Sequence, residues 1–242
     1  MTADSRVAPG TPTRTRQPRA DAADTREALL SSGARLIARH GLGVPVTQIQ
    51  DAAAQRNKSA VRYHFGSVLE LALAVTTRHG QQVDARRDEA LDAFHERYAP
   101  PGTDDGRPHA ELAVIVDLLV SPAAEELHTA QGRDYLRLLP QVSHLAQVRS
   151  GAPAAPPAVV RTLALLRDHL DRSGVSDIDE RLALAVQMHA AVMADRARRI
   201  DEGADGEPAA EVRGGEREIA PDHDGFVRLV TGMLARALGG AG

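Results

Sequence analysis

The chain has 242 residues, 43% of them hydrophobic, 26% charged and only 2% aromatic. It holds no cysteine, which excludes disulfides, thiolate catalysis and cysteine-ligated zinc. The net charge of −4 is unevenly spread: residues 1–65 carry +5 from ten basic and five acidic side chains, and the remainder carries −9, so only the first part suits a polyanion.

Residues 1–21 mix Pro, Thr, Ala and Arg without periodicity and read as a disordered basic arm. A helix is expected from Asp24, which with Glu27 has capping-box spacing. Leu29, Gly33, Leu36, Ile37 and His40 recur at helical spacing, and Gly41 stops the run. Two short helices follow, over about 45–54 and 58–64, with the polar QRN between them as a turn. Three short helices with a tight turn before the third form a helix-turn-helix unit, here spanning 22–67.

On the third helix Val61 and Phe65 share one face and can pack on Ile49 and Leu36. Ser59 and Tyr63 then fall on the opposite face, flanked by Ala60 and Arg62. Hydroxyls and a guanidinium suit phosphates and base edges, and a small Ala60 permits close approach to a major groove. Lys58, the chain's single lysine, stands at the end where a reader helix enters the groove. Thr47 can donate to a phosphate at the start of the second helix, and Gln48, Asn57 and His64 complete the candidate DNA-binding set.

These residues resemble a known family. TREALLSSGARLIARHG followed by TQIQDAAAQRNKSAVRYHFGS is similar to the DNA-binding domain of the TetR family of bacterial transcriptional regulators. The similarity covers about 24–75, and its most specific part is Tyr63, His64 and Phe65 followed by a turn and Ser67. It implies that Tyr63 and His64 lie near the DNA backbone, with Lys58, Ser59, Ala60 and Arg62 near base edges. Two positions depart from the pattern: the usual turn glycine is absent, and Val68 stands where a lysine often follows the serine.

The rest of the chain, 68–242, also reads as helix. Helical patterns cover about 68–98, with a break expected near Gly80, then 109–120, 122–129, 132–147, 158–172, 177–201 and 222–238. Residues 202–220, rich in Gly and acid, read as a mobile loop. The expected fold class is therefore all-α, an outcome that a core of Leu, Val, Ile and Ala favours over sheet. The resemblance implies that this larger part dimerises and holds a small-molecule pocket. Broad apolar faces on the last two helices nominate Leu182, Val186, His189, Phe226, Leu229 and Met233 for the dimer interface. For the pocket, Tyr135 and His144 are the nominated polar groups.

Enzymatic signatures are not evident. GLGVPV at 41–46 lacks the third glycine and the preceding strand of a dinucleotide fingerprint. DHD at 222–224 opens a helix, where acids are favoured by the dipole, and reads as a cap rather than a metal site. No apolar run approaches the ~18 residues of a membrane span, and no apolar signal follows Met1, so a cytoplasmic location is expected. The leading expectation is a ligand-responsive homodimeric regulator, a repressor acting on double-stranded operator DNA, with no cofactor and no metal. The alternative is a helical small-molecule-binding protein whose degenerate helix-turn-helix has lost specific DNA binding.

Overall fold

The computed structural model describes residues 18–57, 59–98, 110–148, 155–204 and 222–239, without the side chains of 18–21, 144–148 and 204. Every described element is helical. Helix α1 (Pro18–His40) begins six residues before the expected Asp24, so 18–21 belong to it and not to an arm. Proline is well placed at a first helical position, where its missing N–H costs nothing, and Ala20, Ala22 and Ala23 then propagate the helix. Residues 1–17 of the expected arm lie outside the described residues. Gly41, at φ 81°, ends α1 by donating its N–H to Ile37 O at 2.8 Å.

Helices α2 (Val46–Ala52) and α3 (Ala60–Phe65) follow, then α4 (Val68–Tyr98). α4 runs unbroken through Gly80, where the sequence led us to expect a break. A single glycine costs a helix only about 1 kcal/mol, and the packing along α4 outweighs that. The chain continues through α5 (Leu112–Ala124), a 3₁₀ turn (Glu125–His128), α6 (Ala130–Val148) and α7 (Pro157–Arg172). α8 (Ile178–Ala204) and α9 (His223–Gly239) close it. The expected loop at 202–220 gives its first three residues to α8, and 205–220 lie outside the described residues.

The pattern expected to break between 120 and 122 is instead one helix carrying Pro122. Proline has no N–H, so the carbonyl of Leu118 loses its partner one turn on. The buried Arg87 of α4 replaces it: its Nε donates to Leu118 O at 3.1 Å and its Nη2 to Leu119 O at 3.3 Å. Burial lowers the Arg87 pKa, partly offset by Asp84 beside it. A buried arginine therefore exists here because a buried proline left a carbonyl to be satisfied.

Two hydrophobic cores result. The smaller packs α1, α2 and α3 through Leu29, Ile37, Ile49 and Val61. The larger packs α5, α7, α8 and α9 through Ile115, Leu166, Met193 and Leu234. Helices α4 and α6 belong to both. α4 places Leu71, Ala72 and Val75 in the first core and Val83, Leu91 and Phe94 in the second. α6 does the same with Leu138 and Val142 on one side and Tyr135 and Leu136 on the other. Among the described residues no helix is long and apolar enough to cross a membrane.

Candidate nucleic-acid interface and internal cavity

The α2–α3 pair is held by its apolar minority. Ile49, Ala53, Ala60 and Val61 are buried and face α1, while Phe65 packs at the edge with the Arg26 guanidinium 5.1 Å above its ring. What remains faces solvent. Thr47 and Gln48 are exposed on the first turn of α2, and Asn57, Ser59, Arg62 and Tyr63 are exposed around α3. The Asn57 side-chain oxygen accepts the Ser59 N–H at 2.9 Å, which fixes the entry to α3. Tyr63 stands 81% exposed, edge-on to the half-buried His64 with ring centroids 5.0 Å apart. A tyrosine projected into water from a rigid short helix forgoes burial, which large aromatic rings normally seek. Gly66, at φ 83°, ends α3, and the Ser67 hydroxyl accepts the Glu70 N–H at 3.1 Å to start α4.

One nominated residue is corrected. Ala60, expected at base edges, is only 3% exposed and packs into the core beside Val61. On a helix of six residues the buried arc takes in two neighbouring positions, here Ala60 and Val61. Lys58 lies outside the described residues. Gln50, which carries no signal of it in the sequence, is buried on the inner face of α2.

A cavity of about 670 Å³ lies between α4, α6 and the start of α7. Leu73, Thr76, Thr77 and Gln81 line one wall, and Tyr135 and Leu139 line the other. Tyr135, nominated from the sequence, is thus at the cavity. Its phenol is buried, which pushes its pKa up to about 12, and its ring stacks on His79 with centroids 5.4 Å apart. The side chain of His144, the second nominee, lies outside the described residues. Asp84 also lines the cavity and has a structural duty. Its carboxylate accepts the Ala158 and Val159 N–H groups, each at 3.1 Å, so it caps α7 from α4. The α4 wall went unrecognised in the sequence because its threonines and glutamine look like an ordinary solvated face.

Of the six residues nominated for a dimer interface, the structure spends Leu182, His189 and Phe226 on the chain's own interior. The most apolar stripe of α8 faces α6, and that of α9 faces α5. Val186 and Met233 are half-buried, and only Leu229 is open, at 57%. Leu184 and Met188, one turn apart on α8, are the exposed apolar side chains that the sequence reading passed over.

Among known proteins, no family model matches the chain, and no protein of curated function does so either. Several solved structures are similar. One is GusR of Salmonella enterica, at 16% identity and a TM-score of 0.42, covering 93% of this chain and 99% of that one. Another is a candidate transcriptional regulator from Rhodococcus sp. RHA1, at 20% identity and a TM-score of 0.39, covering 87% and 95%. Functional assignment accordingly rests on the side chains themselves.

Proposed function

We propose that the chain is a cytoplasmic, homodimeric, ligand-responsive transcriptional regulator, a repressor that reads double-stranded operator DNA through α2 and α3. The observation that carries this reading is the polar outer surface of that helix pair. Arg62, Tyr63, Ser59, Asn57, Thr47 and Gln48 all face solvent, on a scaffold held by the buried Ile49, Ala53, Ala60 and Val61. The resemblance of residues 24–75 to TetR-family DNA-binding domains agrees with it, as does the +5 charge of residues 1–65. Leu184, Met188 and Leu229 supply an exposed apolar surface on α8 and α9 through which two copies can associate. In such a dimer two α3 helices sit in successive major grooves, about 34–36 Å apart.

The cavity supplies the response. It lies along α4, whose first turns hold the α1–α3 core and whose later turns belong to the larger core. A ligand that parts α4 from α6 and α7 tilts a helix against which α3 packs, and so alters the spacing of the two readers. To turn nearly full occupancy into nearly none, it must prefer the released arrangement by about 5 kcal/mol.

The test is binding of the purified chain to a duplex from its own upstream region and to a scrambled duplex, titrated with salt. Tight binding at physiological salt to the native duplex alone supports the proposal. Equal and steeply salt-dependent binding to both duplexes would reduce DNA contact to non-specific charge. It would favour the alternative, a helical ligand-binding protein with a degenerate helix-turn-helix.

A further inference from the structure

Away from the reader surface and the cavity, three side chains from distant parts of the sequence converge at the surface. Glu125 and His128 belong to the 3₁₀ turn between α5 and α6, and His223 is the first residue of α9. A 3₁₀ turn has three residues per turn, so positions three apart are eclipsed and Glu125 and His128 project from the same edge. Asp222 fixes the start of α9 by accepting the Gly225 N–H at 2.7 Å, and the buried Phe226 anchors the same turn to the core. These two anchors place His223 opposite the 3₁₀ turn. The DHD sequence is thus partly a cap, as its carboxylates led us to expect, and it leaves the histidine over.

The ligand atoms of the three residues all lie within 4.8 Å of one another. His128 Nε2 is 4.0 Å from one Glu125 carboxylate oxygen, and His223 Nε2 is 3.9 Å from the other. The two imidazole rings have centroids 4.2 Å apart. A charge-assisted hydrogen bond would close to about 2.8 Å, and none of these contacts does. The two imidazole rings lie against each other, and each Nε2 stands about 4 Å from the carboxylate, short of a hydrogen bond. Around a tetrahedral ion with bonds near 2.0–2.2 Å, neighbouring ligand atoms stand about 3.4 Å apart. Glu125 and His128 are both more than half exposed, so their side chains have room to close the remaining distance.

We propose that Glu125, His128 and His223 form a binding site for a divalent transition-metal ion of the zinc, cobalt or nickel type. Two imidazoles select borderline metals over magnesium and calcium, which prefer all-oxygen sites. The carboxylate lowers the net charge of the complex, and Asp222 and Asp224 on either side of His223 offset the positive end of the α9 dipole. Water completes the coordination on the open side. An ion held here ties the start of α9 to the α5–α6 turn, joining two elements that are nearly a hundred residues apart.

The experiment uses the full chain, stripped with chelator and titrated calorimetrically with Zn²⁺, with Co²⁺ as a spectroscopic probe and Mg²⁺ as a control. Expected are one zinc per chain, a raised Tm with zinc, and a visible Co²⁺ spectrum of nitrogen and oxygen ligation. His128→Ala, His223→Ala and Glu125→Gln should each weaken zinc binding at least tenfold, since even outer-shell losses cost about 10–100-fold. They should also remove the zinc-dependent rise in Tm while leaving the metal-free Tm and circular dichroism unchanged. The chain has ten histidines, so binding that survives these substitutions would place the metal elsewhere and overturn the assignment. An absence of zinc binding, or equal binding of Mg²⁺, would overturn it too.

Discussion

Tyr63 and Arg62 show how little of the proposed reader surface is needed for folding. Both side chains point into solvent, and neither contributes to the core that Val61 and Ala60 hold from the other side of α3. Removing them should therefore separate recognition from stability. Arg62→Ala is expected to weaken operator binding by about 1–3 kcal/mol if the guanidinium meets a base edge. Tyr63→Ala should weaken it as well, and both variants should melt with the parent chain. Fluorescence anisotropy on the operator, paired with thermal unfolding, reads both quantities. Undiminished affinity in the two variants would remove α3 from the interface. Ala60 belongs to the opposite class: buried beside Val61, it takes part in packing alone. The six-residue wheel did not reveal this in the sequence, because a short helix gives two adjacent positions nearly equal claim to the buried arc.

At the scale of the element, two glycines make opposite demands. A Cβ at Gly80, midway along α4, would meet only the Tyr135 hydroxyl oxygen at 3.9 Å. A Cβ at Gly132, in the first turn of α6, would run into the backbone carbonyl of Glu126. It would also stand 2.6 Å from Glu126 Oε2 and 2.8 Å from Thr129 Oγ1. Thr129 caps this turn by accepting the Gly132 N–H at 2.9 Å, so the neighbours cannot move aside without losing the cap. Gly80→Ala should therefore stabilise the chain by about 0.5–1 kcal/mol through helix propensity. Gly132→Ala should cost about 1–3 kcal/mol as an overpacked site. Urea unfolding measures both, and a Gly132→Ala variant as stable as the parent would refute the close approach. Neither difference was legible in the sequence, where Gly80 reads as a break in one helical pattern and Gly132 as the start of another. The helices themselves were legible, since Gly41, the QRN turn and Pro157 mark their limits by local chemistry. The start of α1 at Pro18 and the passage of α5 through Pro122 were not, because each depends on what a proline meets: a free helix terminus in one case, Arg87 in the other. The convergence of His223 on His128 and Glu125 lay beyond any local pattern.

Across the whole molecule, α4 and α6 contribute to both cores, and two buried ionisable groups contribute opposite terms to its response to acid. His189 on α8 is buried, its Nε2 has no hydrogen-bond partner, and burial, aided by the positive charge of Arg87, lowers its pKa to about 4. Asp134 on α6 is also buried, and burial with the nearby Asp201 raises its pKa to about 6, against the pull of Arg137, Arg39 and Arg35. The two act in opposite directions. The stability associated with His189 is present above its ordinary pKa of 6.5 and is lost as pH falls toward 4, because the unfolded chain takes up the proton first. That associated with Asp134 is present below its ordinary pKa of 3.8 and is lost as pH rises through 6, because the folded chain takes up the proton first. Each amounts to about 3 kcal/mol in full, or about 1 kcal/mol between pH 6 and pH 5. In that interval they largely offset each other, and the parent chain should show a shallow profile, tilted toward lower stability in acid by His169, whose pKa burial also lowers. Asp134→Asn should expose the histidine, so that stability falls by about 1 kcal/mol on acidification from pH 6 to pH 5. His189→Leu should expose the aspartate, so that stability rises by a similar amount over the same step. Urea unfolding at pH 6.5, 6 and 5 distinguishes the three profiles by slope alone, whatever each substitution does to absolute stability. A single variant that keeps the slope of the parent would show that its deleted group titrates alike in the folded and unfolded chain.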